Sequence, residues 1–263
     1  MDYLSINKKL WDNKTEVHVK SEFYDVDGFI NGNDSLNSIE LDLLGNIEGK
    51  SVLHLQCHFG QDTISLSRRG AKATGVDLSE KAIEQAQKLS REIGTDTRFI
   101  QSDVYALKDV LDEKFDVVFT SYGVIGWLPD MKKWAETIHH FLKPGGELVF
   151  VEFHPVIWMM SYDFQRIEFK YDDSEPIVEE LEGTYTDRDA KLKDKSVCWN
   201  HGLSRVLNSL IKTGLVINDF QEYDYSPYNC FENTVQISKR KFQIKGLEEM
   251  IPMVYSVKAQ KPL

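Results

Sequence analysis

The chain has 263 residues, of which 41% are hydrophobic and 28% are charged, which is typical of a globular protein of one domain with an insertion. Its formal net charge of −11, and the absence of any dense basic run except SKRK (238–241), argue against a nucleic-acid partner. No stretch has the length of an apolar membrane span, and the N-terminal MDYLSINKKLWDNK has no signal-peptide core, so no membrane association is expected.

The cysteines indicate the redox environment. Cys57, Cys198 and Cys230 lie far apart and form no CxxC pair, so neither a zinc site nor a disulfide framework is predicted. No other cluster has the spacing of metal ligands. Reduced thiols are typical of the cytoplasm, and we expect a cytoplasmic protein.

Residues 50–155 alternate strands and helices in chain order. Strands are predicted over Lys50–Cys57, Lys72–Leu78, Arg98–Val104, Phe115–Ser121 and Glu147–Phe153, and helices over Gly60–Arg69, Ser79–Gly94 and Pro129–Leu142. Ser79 is a candidate helix cap, and the PGG at 144–146 is expected to end the third helix. This alternation predicts an α/β fold with a parallel sheet and helices on both faces.

The flanking segments complete this core. His201–Gly214 has the pattern of an amphipathic helix, and strands are expected near Leu215–Tyr223 and Met250–Gln260. Aromatic and acidic residues alternate between residues 156 and 200, which predicts inserted antiparallel strands. We therefore divide one domain into an N-terminal helical lid (1–49), a core (50–155), a β cover (156–200) and a C-terminal completion of the sheet (201–263).

Polar residues follow four of the predicted strands. These are the QCHFGQD segment (56–62), Asp77, Asp103 and the Ser121-Tyr122-Gly123 segment. Ligands of open α/β sheets bind at the carboxyl ends of the strands. A carboxylate after the second strand can accept both hydroxyls of a ribose, and one after the third can accept an adenine amino group. A single acid at a strand end is as often a helix cap, so the argument depends on all four together.

These motifs resemble those of class I S-adenosylmethionine (SAM)-dependent methyltransferases. VLHLQCHFG (52–60) is similar to the family's first motif, VLDLGCGTG, and GVDLSEKAIEQAQ, FIQSDV, FDVVFTSYGVI and HHFLKPGGELVFVEF follow in the family's order. The resemblance covers residues 50–155 most firmly, and the N-terminal segment from Trp11 to Tyr24 resembles a bacterial branch of the family. It implies a Rossmann-like, seven-stranded, mostly parallel sheet with an antiparallel last strand, and SAM as cofactor, with S-adenosylhomocysteine (SAH) as product.

The resemblance also implies a cofactor site. Asp77 would hold the ribose, Asp103 and Val104 would flank the adenine, and Gly60 would lie against the methionine part. The full expected set is Trp11, His18, Tyr24, His54, Gln56, Cys57, His58, Gly60, Gln61, Asp62, Asp77, Leu78, Ser79, Asp103, Val104, Ser121 and Tyr122.

Three residues of the first motif depart from the family pattern. His54 replaces an acid, and Gln56 and His58 replace glycines. Either the last two side chains contact polar groups of the ligand, or they fill space beneath the N-terminal segment. An NAD site is less consistent with this loop, because a pyrophosphate requires three glycines at the helix N-terminus.

Methyl transfer mainly requires that the acceptor and the methyl group be aligned away from water. His154, His201 and Tyr122 are candidate catalytic residues, His154 and His201 as bases, although a structural histidine is an equally good interpretation of both. The candidate substrate residues are Trp127, Glu152, Tyr185, Trp199 and Tyr228. Cys57, within the binding turn, is not expected to be a nucleophile.

The N-terminal segment 11–25 is expected to close over the cofactor, with His18 and Ser21 near its carboxylate; packing of a helix on the sheet edge is the alternative. We thus predict a metal-independent methyltransferase acting on a small organic acceptor. A SAM-binding protein without transferase activity and an NAD(P) oxidoreductase are the two alternatives. The sequence carries no signal for an oligomeric state.

Overall fold

A computed structural model describes residues 1–263, and its centre is a seven-stranded sheet. The strands of this sheet are β1 (Ser51–Leu55), β2 (Lys72–Asp77), β3 (Arg98–Gln101), β4 (Phe115–Ser121), β5 (Leu142–Phe153), β8 (Val216–Tyr223) and β11 (Val254–Gln260). Two hairpins lie outside it, formed by β6 (Ile177–Glu182) with β7 (Lys193–Cys198) and by β9 (Thr234–Ser238) with β10 (Lys241–Ile244).

The strand order is β3-β2-β1-β4-β5-β11-β8. The first five strands pair in parallel, and β11 is antiparallel to both β5 and β8. The chain reverses its direction of sheet growth between β1 and β4, which creates a crevice above the carboxyl ends of these strands. The predicted fold class, with its antiparallel last strand, is confirmed.

Helices cover both faces because the central strands are apolar on both sides. One face packs against α6 (Met131–Phe141) and α8 (Leu203–Lys212), and the other against α4 (Gln61–Arg68) and α5 (Glu80–Ile93). Side chains alternate between these faces: Leu53 and Val118 lie in the first core, whereas Val52 and Phe119 lie in the second. As predicted, Ser79 caps α5, its hydroxyl accepting a hydrogen bond from the amide of Ala82 at 3.0 Å.

The N-terminal segment forms α1 (Tyr3–His18), α2 (Val26–Ile30) and α3 (Ser38–Leu44). Helix α1 crosses the carboxyl end of the sheet and is fixed to β7 by a reciprocal pair of hydrogen bonds between the Asn7 side chain and the Val197 backbone, of 2.7 and 3.0 Å. At the other side of the crevice, the Ser79 hydroxyl donates to Asp12 at 2.7 Å. The first helix therefore joins the inserted hairpin to the core.

The inserted segment begins with the short helix α7 (Pro155–Met159) and continues into the β6–β7 hairpin. The β9–β10 hairpin was not predicted, because β9 is short and largely exposed, and its alternation is limited to Val235 and Ile237. None of the helices combines the length and the apolar character that crossing a bilayer requires.

The sequence was misleading at the PGG segment. Helix α6 already ends at Phe141, and β5 begins at Leu142 and runs through residues 144–146. The backbone of Gly145 and Gly146 pairs with Lys261 at 2.9 Å in each direction. A Cβ on Gly146 would lie 3.0–3.1 Å from three backbone oxygens, so the glycine permits close packing of this edge.

Candidate functional site

A cavity of about 1210 Å³ opens above the carboxyl ends of β1, β2, β3 and β4 and is covered by α1 and the β6–β7 hairpin. This exceeds the ordinary size of a single ligand pocket and leaves room for a cofactor and an acceptor. The predicted residues that line it are Trp11, Tyr24, His54, Gln56, Cys57, His58, Gly60, Gln61, Asp62, Asp77, Leu78, Asp103, Val104, Ser121, Tyr122, Trp127, Tyr185, Trp199 and Tyr228. His18, Ser79, Glu152, His154 and His201 are not among the lining residues.

The loop after β1 keeps a left-handed backbone at each position where the family has glycine. The φ angles are +56° at Gln56, +49° at His58 and +82° at Gly60. Side chains rarely adopt this conformation, and it costs about 1–2 kcal/mol for a residue other than glycine. A Cβ on Gly60 would lie within 3 Å of Phe99 and Ala86, so packing against the sheet also requires this glycine.

Asp77 is the carboxylate that joins this loop to the second strand end. One oxygen accepts from the amide of His58 and the other from the amide of Ser79, both at 2.8 Å. Burial raises the pKa of Asp77 and the two backbone hydrogen bonds lower it, and the net result is a pKa of about 6. Each oxygen retains a lone pair, so two further hydroxyl donors can be accepted at the cavity wall.

The third strand end supplies a second carboxylate. Burial raises the pKa of Asp103, and the neighbouring backbone amides of Tyr105, Ala106 and Val104 partly offset this effect. Val104 is buried beside it, and Leu78 lines the same part of the cavity. An apolar slot edged by a carboxylate fits a flat base with an exocyclic amine.

His54 holds the loop from below. Its Nδ1 lies 2.9 Å from the hydroxyl of Thr63 in α4, and burial lowers its pKa to about 3, so the ring is neutral. Burial also raises the pKa of the Cys57 thiol in this loop. A neutral imidazole thus links β1 to α4 at the position where the family has an acid, and Cys57 is held as a thiol.

Side chains from the N-terminal segment close the cavity. His18 Nδ1 lies 2.9 Å from His58 Nε2, and burial lowers the pKa of both rings to about 2 and 3, respectively. Trp11 packs edge-on against both His58 and Trp127, with 5.3 Å between ring centres in each pair. His18 therefore contacts the loop from behind the cavity wall. Ser21 donates to the His18 carbonyl oxygen at 2.7 Å.

The cover contributes its own contacts to this closure. The hydroxyls of Tyr24 and Tyr185 are 2.5 Å apart, and Gln61 donates to the Tyr24 carbonyl oxygen at 2.9 Å. Trp199 packs edge-on against Tyr3, with 5.3 Å between ring centres. The lid, loop and cover are thus joined by direct side-chain contacts.

The two histidines predicted as bases have structural partners instead. His154 caps α7 by accepting from the amide of Val156 at 3.2 Å, and its Nε2 lies 2.9 Å from Glu222. His201 Nε2 donates to the carbonyl oxygen of Leu128 at 2.7 Å. Burial lowers the pKa of both rings. The strand-end position of His154 suggested a base, but the backbone turns it away from the cavity.

Glu152 also has a role different from the predicted substrate contact. Its carboxylate is 1% exposed and accepts from the amides of Gly123, Val124 and Ile125 after β4, and from that of Phe153. It therefore shapes the turn that carries Tyr122, whose φ is +46°. Ser79, similarly, is occupied as a helix cap and as a donor to Asp12.

Two residues of the cavity region were not anticipated. Glu40 of α3 is fully buried and accepts from the Tyr122 hydroxyl at 2.7 Å; Asn37, which donates to Glu40 at 2.9 Å, also donates to Tyr228 at 2.9 Å. The NSIE sequence (37–40) forms a capping box at the start of α3, a local pattern that carries no information on this contact. The second is Lys14, which is 6% exposed and lines the cavity.

Residues 52–146 match a family model described as a methyltransferase domain. An uncharacterized protein of Haemophilus influenzae is 33% identical over 155 residues, which cover 55% of this chain and 61% of that protein. A ubiquinone biosynthesis O-methyltransferase of Alkalilimnicola ehrlichii is 29% identical over 134 residues, which cover 49% and 54%. The chain thus spans less than two thirds of the length of these curated relatives.

Solved structures share the fold at lower identity. A SAM-dependent methyltransferase from Clostridium acetobutylicum has a TM-score of 0.60 at 17% identity, covering 97% of this chain and 100% of the other. Geranyl diphosphate C-methyltransferase from Streptomyces coelicolor A3(2) has a TM-score of 0.65 at 16% identity, covering 99% and 98%.

Residues 52–146 match the model of a methyltransferase domain, and the chain has the fold of solved SAM-dependent methyltransferases, so both findings support the resemblance to the class I SAM-dependent methyltransferases. SAM is the cofactor of this family. The donors and acceptors of the cavity fit it, because Asp77 has free lone pairs for two hydroxyls and because Gln56 Oε1 and His58 Nδ1 are buried without a partner.

Proposed function

We propose that this protein transfers a methyl group from SAM to a small organic acceptor by in-line displacement, without a metal ion. The observation that carries the proposal is the Asp77 carboxylate, fixed by the amides of His58 and Ser79 at the wall of a covered cavity. When bound, SAM supplies a methyl group on a sulfonium with a good leaving group. The residues of this chain therefore have to bind, align and exclude water.

The cofactor half of the cavity is assigned to the strand ends. Asp77 accepts the ribose hydroxyls, Asp103 accepts the adenine amine, and the loop 56–60 lies along the methionine part. Trp11 and Tyr24 close this half from above. Because α1 also contacts β7 and α5, closure of the lid and ordering of the cover are coupled.

The acceptor half is assigned to the aromatic wall made by Tyr122, Trp127, Tyr185, Trp199 and Tyr228. Tyr122 and Glu40 are a candidate proton relay for an acceptor that loses a proton. As the Tyr122 oxygen takes that proton, its own hydroxyl proton passes to the Glu40 carboxylate 2.7 Å away. Burial raises the pKa of Glu40, which makes it a better proton acceptor than an exposed glutamate.

The test is calorimetric titration of the full chain with SAM, SAH and NAD. Micromolar binding of SAM and SAH without binding of NAD is expected, because the loop offers no three-glycine cradle for a pyrophosphate. Failure of both sulfur ligands to bind would contradict the proposal, and selective binding of NAD would favour the oxidoreductase.

A SAM-binding protein without transferase activity is the second candidate, since Gln56 and His58 place side chains where the family has none. It predicts micromolar SAM affinity but no SAH production with any member of a broad panel of oxygen, nitrogen, sulfur and carbon acceptors. Turnover with one member would exclude it. We also propose that the acceptor is a small molecule, that the protein is cytoplasmic, that the chain is divided into the four segments given above, and that it has no nucleic-acid partner.

A further inference from the structure

Lys14 is a buried ammonium without an ion pair. It lies on the inner side of α1 with 6% of its surface exposed, and it lines the cavity. Its Nζ is 5.0 Å from the ring centre of Trp11 and 5.7 Å from that of Trp127. Within the whole chain no carboxylate forms an ion pair with it, and no acceptor forms a hydrogen bond with it.

The groups around Lys14 do not compensate this charge fully. On β7, Asp194 attracts it through space, but both oxygens of Asp194 accept from the Asn13 amide, at 3.1 and 2.9 Å. His18 on the same helix and His58 on the cofactor loop are neutral, and the Cys198 thiol on β7 has its pKa raised to about 12. Burial lowers the pKa of Lys14 to about 8, so it still carries its charge at neutral pH.

The other cations of the cavity wall are either exposed or have partners. Arg188 pairs with Glu232 at 3.4 Å, and Lys239 is exposed. Arg240 donates to the backbone oxygens of Asp34 and Leu36, just before α3. The two indole rings attract the ammonium but carry no counter-charge, and buried charges in proteins are ordinarily paired. Lys14 thus has the environment of an anion-binding residue.

We infer that the methyl acceptor carries an anionic group, a carboxylate or a phosphate, that pairs with Lys14 while its apolar part lies against Trp127. This inference rests on the proposed function. Lys14 faces Trp127, in the turn after β4, and it faces β7 of the cover. Both border the acceptor half of the cavity. The carboxylates assigned to the ribose and the adenine lie elsewhere, at the ends of β2 and β3. The cofactor also carries a carboxylate. The experiment therefore distinguishes pairing of Lys14 with the cofactor from pairing of Lys14 with the acceptor.

The experiment compares the wild type with Lys14→Met, which keeps the length of the side chain but removes its charge, and with Lys9→Met on the exposed face of the same helix. SAH and 5′-methylthioadenosine, which lacks the amino-acid carboxylate, are titrated first. Benzoate, phenyl phosphate and neutral benzamide are then titrated in the presence of saturating SAH. Lys14→Arg is the charge-retaining variant, and Lys14→Gln is a second neutral one.

We expect benzoate or phenyl phosphate to bind wild type and Lys9→Met at least tenfold more tightly than benzamide. This preference disappears in Lys14→Met and Lys14→Gln and returns in Lys14→Arg, while SAH affinity stays within threefold. Wild-type protein without any preference for the anions overturns the inference. So does a tenfold loss of SAH affinity in Lys14→Met with unchanged methylthioadenosine affinity, because the partner is then the cofactor. Absence of SAH binding by the wild type instead contradicts the proposed function.

Discussion

The two walls of the cavity are built in different ways. The strand-end wall, formed by the residues that follow β1, β2, β3 and β4, is fixed by backbone amides that donate to two carboxylates, that of Asp77 in the wall and that of Glu152 behind it. The covering wall, formed by α1, the β6–β7 hairpin and the 223–231 segment, consists of aromatic and histidine side chains that meet across long stretches of chain.

Because of this difference, the strand-end wall can hold a ligand in one position, whereas the covering wall can adapt to the ligand. Carboxylates fixed by backbone hydrogen bonds hold one geometry, since moving them breaks several bonds at once. Ring contacts such as those of Trp11 and Tyr24 are less directional and can open without leaving a buried charge. We expect changes in the first wall to affect stability and cofactor affinity strongly, and changes in the second to affect closure and acceptor choice.

Glu152→Ala has the largest expected effect, because its buried carboxylate lies on β5 behind the strand-end wall and fixes the turn after β4 that belongs to this wall. Without the carboxylate, the amides of Gly123, Val124 and Ile125 have no acceptor, and the free energy of unfolding should fall by about 3–5 kcal/mol. Urea denaturation measures it. Glu147→Ala, on the same strand but half-buried and paired with Lys258, should change stability by less than about 1 kcal/mol. Equal effects of the two variants would refute a special role for Glu152.

Asp77→Ala should have the next largest effect, this time on the cofactor. Loss of charge-assisted hydrogen bonds to two hydroxyls weakens SAH binding by about 1.5–3 kcal/mol, measured by calorimetry. Asp112→Ala, on an exposed loop, is the control and should bind like the wild type. Unchanged affinity in Asp77→Ala would remove the ribose assignment.

The strand-end wall is also the part that the sequence predicted well. The boundaries of β1, β2, β3 and β4 agree with the prediction within a few residues because continuous apolar runs have few alternatives, and Asp77 and Asp103 follow directly from strand position. The covering wall was predicted only as a set of aromatic residues. The Tyr122–Glu40 contact spans 82 positions, and the contact between Tyr24 and Tyr185 spans 161, distances at which local patterns carry no information.

His154 and Glu152 show why strand-end position alone was insufficient. Both stand at the end of β5, where a substrate contact was expected, but one side chain caps α7 and the other binds a neighbouring turn. Orientation after a strand depends on the next backbone dihedrals, which the side-chain alternation of the strand does not determine. Lys14 was missed because a lysine in an amphipathic helix ordinarily lies on the solvated face.

A change of pH should have a smaller effect on cofactor affinity, through the same strand-end wall. Because burial raises the pKa of Asp77 to about 6, lowering the pH from 7 to 5 protonates it and removes an acceptor of hydroxyls. If only the ionised form binds, SAH affinity falls by about tenfold over this range. The sign for the ligand-free fold is opposite: protonation relieves a buried charge, so this group's stability contribution is present at low pH and is lost as pH rises through 6.

Asp62, whose pKa burial raises to about 7, is a second titrating group in this wall. Asp77→Asn should abolish the pH dependence between 7 and 5, and Asp62→Asn should retain it. The reverse result would assign the dependence to Asp62.

His58→Gly has the smallest expected effect on stability and tests where the two walls meet. Glycine removes the strain of the left-handed conformation, which is about 1 kcal/mol, but the change also removes the contact with His18. The two effects oppose each other, so the free energy of unfolding should stay within about 1 kcal/mol of that of the wild type. The lid, however, loses its attachment. Amide hydrogen exchange in α1 should therefore become faster, and SAH affinity should fall by less than in Asp77→Ala.

Gln56→Gly is the matched control, since it relieves the same backbone conformation while the Gln56 side chain donates its hydrogen bond to the carbonyl oxygen of Val124 and makes none to α1. Its α1 amides should exchange at the wild-type rate. If His58→Gly also leaves exchange in α1 unchanged and binds SAH as tightly as wild type, then His58 only fills space. The lid would then be held by Trp11, Asn7 and Asp12, and the strained residue would have no role in joining the two walls.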